Sequence, residues 1–268
     1  MKSHHLSRFS IITQSQIEQY KKDHANQHLT TNHFTPIENE AFGLQTAKSL
    51  IFATPYEDFN KLYFISSDMD DLDNALKNFD GNNLCLEIIQ RGDLDPKLEN
   101  VLQKHFIFHT RYEKLLIHTK NLKSKIKKAT NEIQHANKED LDVIFASLRA
   151  NFDVKFDHLP SKQTLLSYIQ NHQVLVKRTA GIITAYCIYT INGKTSHFNY
   201  LLNISAEPFA LIALMEEYYE EIKAKNIPYV HLWVDVCHNI RVKNMHLRYG
   251  YESSSIFNYT FYKTQSKE

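Results

Sequence analysis

Side chains that can exchange protons are concentrated near the C-terminus. The strand-like run Tyr229–Val236 places Trp233 and Asp235 on one face, because successive strand residues alternate between faces. A helical segment after it carries His246 and Tyr249. Histidine exchanges protons near neutral pH, and a carboxylate such as Asp235 accepts a proton from an amine or binds a sugar hydroxyl. Asp235 equally fits hydrogen bonds to backbone N–H groups of the turn before the helix.

Two further sets of side chains suit the binding of an amine. His197 and Asn199 share one face of a strand-like segment, where they would act as a general base or bind an amine substrate. Core residues satisfied by hydrogen bonds are the alternative. A loop upstream supplies Phe152, Phe156 and Asp157, which suit a cationic amine. Hydrophobic anchoring of the loop is the alternative for its aromatic rings.

Composition limits the classes of partner. The 268 residues fit one large domain or two small ones, and a net charge of +1 indicates neither a nucleic acid nor an acidic membrane as partner. Cys85, Cys187 and Cys237 stand in or beside apolar strand-like runs, which predicts small buried side chains in a reducing cytoplasm. The N-terminus lacks the apolar segment of a signal peptide, and no run reaches the roughly 20 apolar residues of a membrane span. We expect no metal site, because no further ligands recur near Asp157 at binding spacing.

Apolar periodicity predicts alternating strands and helices in both halves. Asp68 and Asp70 are the candidate caps of a helix that runs through Phe79, and Asp80–Asn83 is expected to form a turn. The other first-half elements are strands at 49–53, 61–66, 84–89, 105–109 and 112–117 and a helix at 96–104. The second-half elements are strands at 132–136, 173–177, 181–189, 196–203 and 229–236 and helices at 138–150, 162–171 and 207–225, with Asn192-Gly193 as a hairpin turn and Pro208 in the first turn of its helix.

One pattern occurs twice in the chain. The segment 84–117 gives strand, helix, strand and strand, and the segment 230–262 gives the same order at nearly the same spacing. We interpret this as duplication of a half-domain, with chance similarity of two amphipathic helices as the alternative. A lysine-rich stretch at 119–130 is typical of a solvated linker. The predicted organisation is therefore a domain at 1–118, this linker and a domain at 131–268.

The C-terminal pattern resembles the closing motif of the GNAT superfamily of N-acyltransferases. That motif is N-x-x-A-x-x-L-Y-x-x-x-G-F, and its defined positions are filled here by Asn239, Val242, Met245, His246, Gly250 and Tyr251. The element order over 131–263 is similar to the same superfamily. Within it, the chain resembles the dTDP-fucosamine acetyltransferase type through the segments 36–43, 150–160 and 257–262. The resemblance implies an α+β fold with a mixed α/β sheet, in two GNAT-like halves of which the first is degenerate.

The resemblance also implies an activity and a set of site residues. The expected reaction transfers an acetyl group from acetyl-CoA to a small amine, such as an amino sugar or a nucleotide-linked amino sugar. His246 or Tyr249 would protonate the leaving thiolate, and Asp235 would accept a proton. Residues expected to hold the donor are Leu201, Leu202, Asn203, Ser205, Ala206, Phe209, Ala210 and Asn239, and those expected to hold the acceptor are Phe152, Phe156, Asp157, His197, Asn199 and Trp233.

The phosphate-binding loop departs from the family pattern. The resemblance implies R/Q-x-x-G-x-G/A before the long helix, where glycines let backbone N–H groups approach the pyrophosphate. This chain has no glycine between Gly193 and Gly250, and Glu207 adds a negative charge there. Three hypotheses follow: free N–H groups near 205–209 still bind CoA, the donor is an acyl-carrier protein or aminoacyl-tRNA, or the domain is a non-catalytic scaffold. The sequence leaves a homodimer open.

Overall fold

The computed structural model describes residues 9–37, 40–79, 83–123 and 133–263. Within these ranges the chain forms two compact units. The first comprises the described residues of Met1–Arg111 and of Ile256–Glu268, and the second those of Tyr112–Ser255. These compact units divide the chain after residues 111 and 255, and each includes residues from both halves of the chain. The predicted domain boundaries at 118 and 131 therefore stay a prediction. No helix in the described ranges is long and apolar enough to cross a bilayer.

The first unit combines a sheet with three helices. Its strands are β1 (Ser10–Ile12), β2 (Thr30–Thr31), β3 (Ala41–Gln45), β4 (Ser49–Tyr56), β5 (Phe59–Ser66) and β6 (Leu84–Arg91), and its helices are α1 (Gln14–Asp23), α2 (Met69–Asn78) and α3 (Pro96–His105). Asp68 caps α2 as predicted, because its carboxylate accepts the N–H groups of Asp70 and Asp71 at 3.0 Å. Apolar periodicity did not predict the elements before β4, because their strands are short and α1 buries only Ile17 and Tyr20. The predicted turn after α2 lies mostly outside the described residues.

The second unit also combines a sheet with helices. Its strands are the end of β7 (Ile107–His118), then β8 (Ile133–His135), β9 (Val174–Thr179), β10 (Ile182–Asn192), β11 (Thr195–Asn203), β12 (Tyr229–Asp235) and the start of β13 (Glu252–Lys263). Its helices are α4 (Leu141–Asn151), α5 (Lys162–Gln170), α6 (Ala210–Ala224) and α7 (Ile240–Tyr249). The sheet order is β7, β12, β11, β10, β9 and β8, in which only β11 and β12 pair in parallel. The mixed sheet matches the predicted fold class.

The predicted repeat is present with one correction. The elements β6, α3 and β7 recur as β12, α7 and β13, so each half ends in a strand, a helix and one strand of 12 residues. Two strands were expected in place of each long strand. That expectation is wrong for β7 because Thr110, at the expected break, is buried and its N–H donates to Thr260 Oγ1 at 3.1 Å. In the first unit β13 pairs with β6, and in the second unit β7 pairs with β12.

The sheet of the second unit buries apolar side chains on both faces. On one face, Leu232 of β12 packs in a cluster with Tyr218 of α6 and Tyr249 of α7. On the other face, Tyr186 of β10 packs with Ile144 of α4. Alternate residues of β12, from position 229 to 235, are only partly buried or exposed. This part of the sheet therefore offers a surface to a ligand.

Two predictions about short segments are corrected by the structure. The hairpin after β10 turns on Gly193 and Lys194, because Asn192 is still paired with Thr195 as the last residue of its strand. Cys237 is exposed, whereas Cys85 and Cys187 are buried as predicted. The exposure follows from the end of β12 at position 235, which leaves residue 237 in the turn before α7.

Candidate functional site

The strands β11 and β12 separate within the sheet of the second unit. They pair only between Thr195–His197 and Tyr229–His231. Beyond this point β11 continues beside β10 to Asn203, and β12 continues beside β7 to Asp235. The edge of Leu201–Asn203 that faces β12 therefore has no strand partner within the described residues. Such an opening presents backbone N–H and C=O groups to a ligand.

A β-bulge in β11 marks the start of this opening. Ile188 lies opposite Tyr200, whereas its neighbour Tyr189 lies opposite Phe198, so Asn199 is the extra residue. A bulge bends its strand and changes which side chains face each side of the sheet. Phe198 consequently packs in the cluster beneath α6, and Tyr200 packs in the cluster beneath α4. The bulge lies two residues beyond His197, the last residue of β11 that pairs with β12.

The segment that connects β11 to α6 is held by its own hydrogen bonds. The Asn203 carboxamide accepts the Glu207 N–H at 3.0 Å and donates to the Glu207 carbonyl at 2.8 Å. Phe209 is 76% exposed and has a left-handed backbone with φ 61°. Because of this conformation α6 begins at Ala210, so the predicted start at position 207 is wrong and Pro208 precedes the helix.

The first turn of α6 contains free hydrogen-bond donors. Within the described residues, the backbone N–H groups of Phe209, Leu211 and Ile212 have no acceptor, and that of Ala210 makes only a bond of 3.4 Å to Glu207. Helix N-termini bind anions because such N–H groups and the helix dipole both favour negative charge. This helix end could therefore hold a phosphate group.

Seven of the eight predicted donor-binding residues lie in the one segment 201–210. The Ser205 N–H donates to the Thr184 carbonyl at 3.3 Å, which ties this segment to β10. Ala206 has a left-handed φ of 54°. The eighth residue, Asn239, is the N-cap of α7 and makes no side-chain capping bond. Their role in donor binding stays a prediction.

The carboxylate of Glu207 is neutralised by a neighbouring lysine. It accepts hydrogen bonds from Lys177 Nζ at 2.6 Å and from Thr184 Oγ1 at 3.0 Å. The hydrogen bond from Lys177 is the main reason that the pKa of Glu207 is lowered. Because the Lys177 side chain is only 8% exposed, the two charges stay together. Glu207 therefore opposes an anion at the α6 terminus less than its sequence position suggests.

His246 is buried beneath the separating strands. It is 3% exposed, and its ring lies edge-on to Phe198 and Tyr251 at centroid distances of 6.2 and 5.3 Å. Its Nδ1 atom has no hydrogen-bond partner within the described residues. Burial lowers the pKa of His246 from 6.5 to about 4, so the imidazole is neutral at pH 7. A neutral imidazole donates a hydrogen bond but is a poor proton donor for a thiolate.

The other two predicted catalytic residues make structural hydrogen bonds. Tyr249 is 2% exposed, its hydroxyl donates to Glu216 Oε1 at 3.1 Å, and burial raises its pKa. Asp235 Oδ1 accepts the N–H groups of Cys237 and His238, each at 2.9 Å. Its Oδ2 lies 2.9 Å from His238 Nδ1. This geometry agrees with the alternative for Asp235, hydrogen bonding to the turn before the helix.

Two imidazoles stack where β11 and β12 last pair. The His197 and His231 rings lie 4.5 Å apart at an interplanar angle of 8°. Thr190 donates to Asn199 Oδ1 at 3.2 Å, and Asn199 Nδ2 lies 3.0 Å from His197 Nδ1. His197 Nδ1 is therefore an acceptor, and the neutral ring carries its hydrogen on Nε2. Burial, and then the neighbouring His231, lower the pKa of His197 to about 3.

A partly buried carboxylate lies near this face of the sheet. Asp157 Oδ1 accepts a hydrogen bond from the Tyr112 hydroxyl at 3.0 Å, and Oδ2 accepts the Asp153 N–H at 2.7 Å. Burial raises the pKa of Asp157, and these two hydrogen bonds oppose that rise. Asp157 was predicted to bind the acceptor substrate, but both of its carboxylate oxygens already accept hydrogen bonds from the protein.

The aromatic residues of the same loop anchor it to the sheet. Phe156 is 3% exposed, and Phe152 lies edge-on to Tyr200 at a centroid distance of 5.3 Å. The Tyr200 hydroxyl donates to the backbone carbonyls of Asp157 and His158 at 2.9 and 2.7 Å. These contacts favour the anchoring interpretation of both phenylalanines over direct contact with an acceptor.

Three residues of this face were not predicted: Tyr112, Lys114 and His231. Lys114 is paired with Trp233 across the sheet, and its Nζ lies 6.0 Å from the centre of the indole ring. His231 alternates with Trp233 along β12, and that alternation was the signal available in the sequence. The two β7 residues gave no such signal, since the pairing of β7 with β12 joins segments that are distant in the chain.

Comparisons with known proteins identify the fold. No protein-family model and no curated protein matches the sequence. A GNAT-family acetyltransferase from Colwellia psychrerythraea is similar in structure, with a TM-score of 0.56 and 13% identity over 96% of this chain and 99% of its own. A tandem GNAT protein from the clavulanic acid biosynthesis pathway has a TM-score of 0.56 and 9% identity over 97% of this chain and 99% of its own.

A third similar structure is part of a larger enzyme. It is a glucosamine N-acetyltransferase region of a fungal multi-domain β-N-acetylglucosaminidase, with a TM-score of 0.56 and 11% identity over 83% of this chain and 32% of that one. Identities this low show the fold alone. The chain therefore has the α+β GNAT acyltransferase fold with two halves in tandem, as the sequence predicted.

Proposed function

We propose that the second unit transfers an acyl group from acyl-coenzyme A to the amine of a small molecule. The observation that carries this proposal is the separation of β11 from β12 after His197 and His231, next to the free N–H groups of α6. The opening offers backbone hydrogen bonds to an extended donor, and the helix end offers them to its phosphates. The GNAT fold of the chain supports the same activity.

The described residues fit the proposed donor. The free edge of Leu201–Asn203 would hold the amide groups of the pantetheine arm and polarise the acyl carbonyl. The N–H groups of Phe209, Leu211 and Ile212 would hold the pyrophosphate. The Lys177–Glu207 ion pair reduces the repulsion that Glu207 alone would exert on these phosphates.

The chemical step requires little from protein acids. The acceptor nitrogen attacks the thioester carbon, a C–N bond forms, the C–S bond breaks, and the nitrogen releases one proton. An ordinary thiol has a pKa of roughly 8.5, so the sulfur can leave as a thiolate near neutral pH. Since His246 is neutral and Tyr249 donates to Glu216, we assign neither residue the role of proton donor. His246 Nδ1 instead has hydrogen-bonding capacity that no described residue uses.

An amino sugar, free or nucleotide-linked, is the acceptor that we propose. Trp233 provides an aromatic surface of the kind that sugars bind, on the same face of β12 as His231, whose ring stacks on His197. The glucosamine N-acetyltransferase region among the structural neighbours acts on such a compound. The resemblance to the dTDP-fucosamine acetyltransferase type favours the nucleotide-linked form.

The glycine-free segment before α6 favours a second candidate. An exposed Phe209 with a left-handed backbone occupies the position where the family pattern expects a glycine-rich loop. A carrier protein or an aminoacyl-tRNA would then replace CoA as donor, or the unit would be a non-catalytic scaffold. Donor binding separates these candidates from the first.

Thermal unfolding with acetyl-CoA tests the proposal. At a concentration of 100 times Kd, a ligand stabilises the folded state by about 2.7 kcal/mol, which is several degrees for a unit of this size. Phe209→Asp places a negative charge at the α6 terminus, where it also suits the N-cap and the helix dipole. We expect this variant to fold normally and to bind CoA roughly fivefold more weakly, since like charges about 4 Å apart repel by about 1 kcal/mol in water.

Val143→Asp is the matched control, because Val143 is 54% exposed on α4 and the substitution adds the same charge elsewhere. Turnover is followed by loss of thioester absorbance, since a thiol reagent would also modify the exposed Cys237. Equal CoA affinity in both variants would place the donor elsewhere. No stabilisation of the wild-type protein by millimolar acetyl-CoA would reject CoA as donor.

A further inference from the structure

Hydrogen-bond donors without acidic partners line the partly buried face of β7 and β12. Lys114 makes no ion pair with any described residue, and its Nζ lies 6.0 Å from the centre of the Trp233 ring. The Nδ1 atom of His231 is buried without a hydrogen-bond partner in the described ranges. Nearby, His197 carries its hydrogen on Nε2, because Nδ1 faces the Asn199 amide nitrogen at 3.0 Å. The face thus presents one cation, Lys114, and the Nε2–H group of His197.

Neither Asp157 nor Asp235 forms an ion pair with Lys114. Asp157 accepts hydrogen bonds from the Tyr112 hydroxyl and from a backbone N–H. Asp235 accepts from two backbone N–H groups and contacts His238 at 2.9 Å. Each carboxylate holds a loop or a turn, and Lys114 Nζ is left without an ion-pair partner among the described residues.

The two stacked imidazoles report the same electrostatic environment. Burial is the largest cause that lowers the pKa of His231 to about 4, and the positive charge of Lys114 is the second. Lys114 also contributes to the lowered pKa of His197. A site that disfavours a protonated imidazole disfavours an ammonium group as well, so an amine bound there would be held as the neutral nucleophile.

We propose that the acceptor amine carries an anionic group, a carboxylate or a phosphate, that binds Lys114 beside Trp233 while its nitrogen lies against the His197–His231 pair. The anionic group supplies a negatively charged partner for Lys114, and the neutral imidazoles contact the nitrogen. Amino acids and amino sugars that bear phosphate or a nucleotide diphosphate have this combination of groups. The inference rests on the proposed function for the reaction, but the binding site itself does not depend on the acyl donor.

The fluorescence of Trp233 gives a direct test, because Trp233 is the only tryptophan of the chain and lies beside Lys114. Matched ligands that differ in the anion are titrated without any acyl donor: glucosamine 6-phosphate against glucosamine, and serine against serinamide. A hydrogen bond to a charged group contributes enough to predict about ten- to hundredfold tighter binding of the anionic member of at least one pair. The pair that shows the preference identifies phosphate or carboxylate as the group.

Lys114→Met keeps the length of the side chain and removes its charge. We expect this variant to lose the anion preference and to keep the affinity for the neutral member of the pair. Lys120→Met, an exposed lysine of the same unit, is the control and should behave as the wild type. Equal affinity for both members of both pairs, or an unchanged preference in Lys114→Met, would overturn the inference.

The two proposals fail in distinguishable ways. Fluorescence that responds to the anionic amine in a protein that does not bind acetyl-CoA would leave the anion site standing and reject the CoA-dependent reaction. Acyl transfer from CoA to neutral and anionic amines with equal kcat/KM would support the reaction and reject the anion site.

Discussion

The buried imidazole of His246 should make the second unit lose stability in mild acid. Burial holds its pKa at about 4 in the folded chain, whereas the unfolded chain has the ordinary value of 6.5. Between pH 4 and pH 6.5, His246 is mostly protonated in the unfolded state and mostly neutral in the folded state. The stability contributed by this group is therefore fully present above pH 6.5, falls as the pH is lowered towards 4, and falls no further below that value.

The size of the effect follows from the two pKa values. One pKa unit corresponds to about 1.36 kcal/mol, so the shift from 6.5 to about 4 amounts to roughly 3 kcal/mol when fully expressed. At pH 5 the same two values give a loss of about 2 kcal/mol relative to pH 7. Solvent screens this cost little, since His246 is 3% exposed. Phenylalanine has a similar size and would keep the edge-on contacts with Phe198 and Tyr251.

The assay is urea unfolding followed by Trp233 fluorescence at pH 7 and pH 5, for the wild type and His246→Phe. The wild type should lose about 2 kcal/mol more unfolding free energy between these pH values than the variant. His197 and His231 titrate in both proteins, so their contribution cancels. His28→Gln, which removes an exposed histidine, should change with pH as the wild type does. An identical loss in His246→Phe and the wild type would refute the assignment of a buried neutral imidazole.

Two further substitutions test packing around α7. Tyr249→Phe should lower the unfolding free energy by about 1.5–3 kcal/mol, because the buried Glu216 loses a donor, while acyl transfer stays within about threefold. A fall in rate of about a hundredfold, as expected for loss of a general acid, would restore Tyr249 as the proton donor. Gly250→Ala should cost roughly 2–3 kcal/mol in urea unfolding, since φ is 100° and a Cβ would lie 2.8 Å from the Asn121 carbonyl oxygen. Gly193→Ala has a positive φ without such a contact and should cost only about 1 kcal/mol, so equal costs would show that the contact is unimportant.

The sequence predicted those features that depend on local pattern. The alternation of β12, the amphipathic α7 and the Asp68 cap of α2 are all read from residues close together in the chain, and the structure confirms them. The spacing from Asn239 to Tyr251 likewise indicated the GNAT fold. Local periodicity sufficed here because each element buries one face against the same core.

Features that depend on distant residues were not predictable in the same way. Motif spacing placed His246 at a catalytic position, but its burial results from Phe198 and Tyr251, which flank it only in the folded chain. The absence of glycine before α6 was visible in the sequence. The neutralisation of Glu207 by Lys177 was not, because it depends on the pairing of β9 with β10.

The start of α6 shows the same limit at short range. Its predicted start at Glu207 follows ordinary N-terminal signals, with a proline in the first turn. The helix begins only at Ala210, because Asn203 forms hydrogen bonds with Glu207 and Phe209 has a left-handed backbone. Side-chain to backbone hydrogen bonds within a loop compete with helix formation, and the periodicity of the helix itself does not reveal them.

Calorimetric titration of acetyl-CoA into the wild-type protein and into Phe209→Asp tests the central proposal most directly. Binding to the wild type with Kd below about 1 mM, or about −4 kcal/mol, together with roughly fivefold weaker binding to the variant, is the predicted result. It would place the donor phosphates at the free N–H groups of α6. No heat of binding with the wild type, or equal affinity in the two proteins, would contradict a CoA site between β11 and β12.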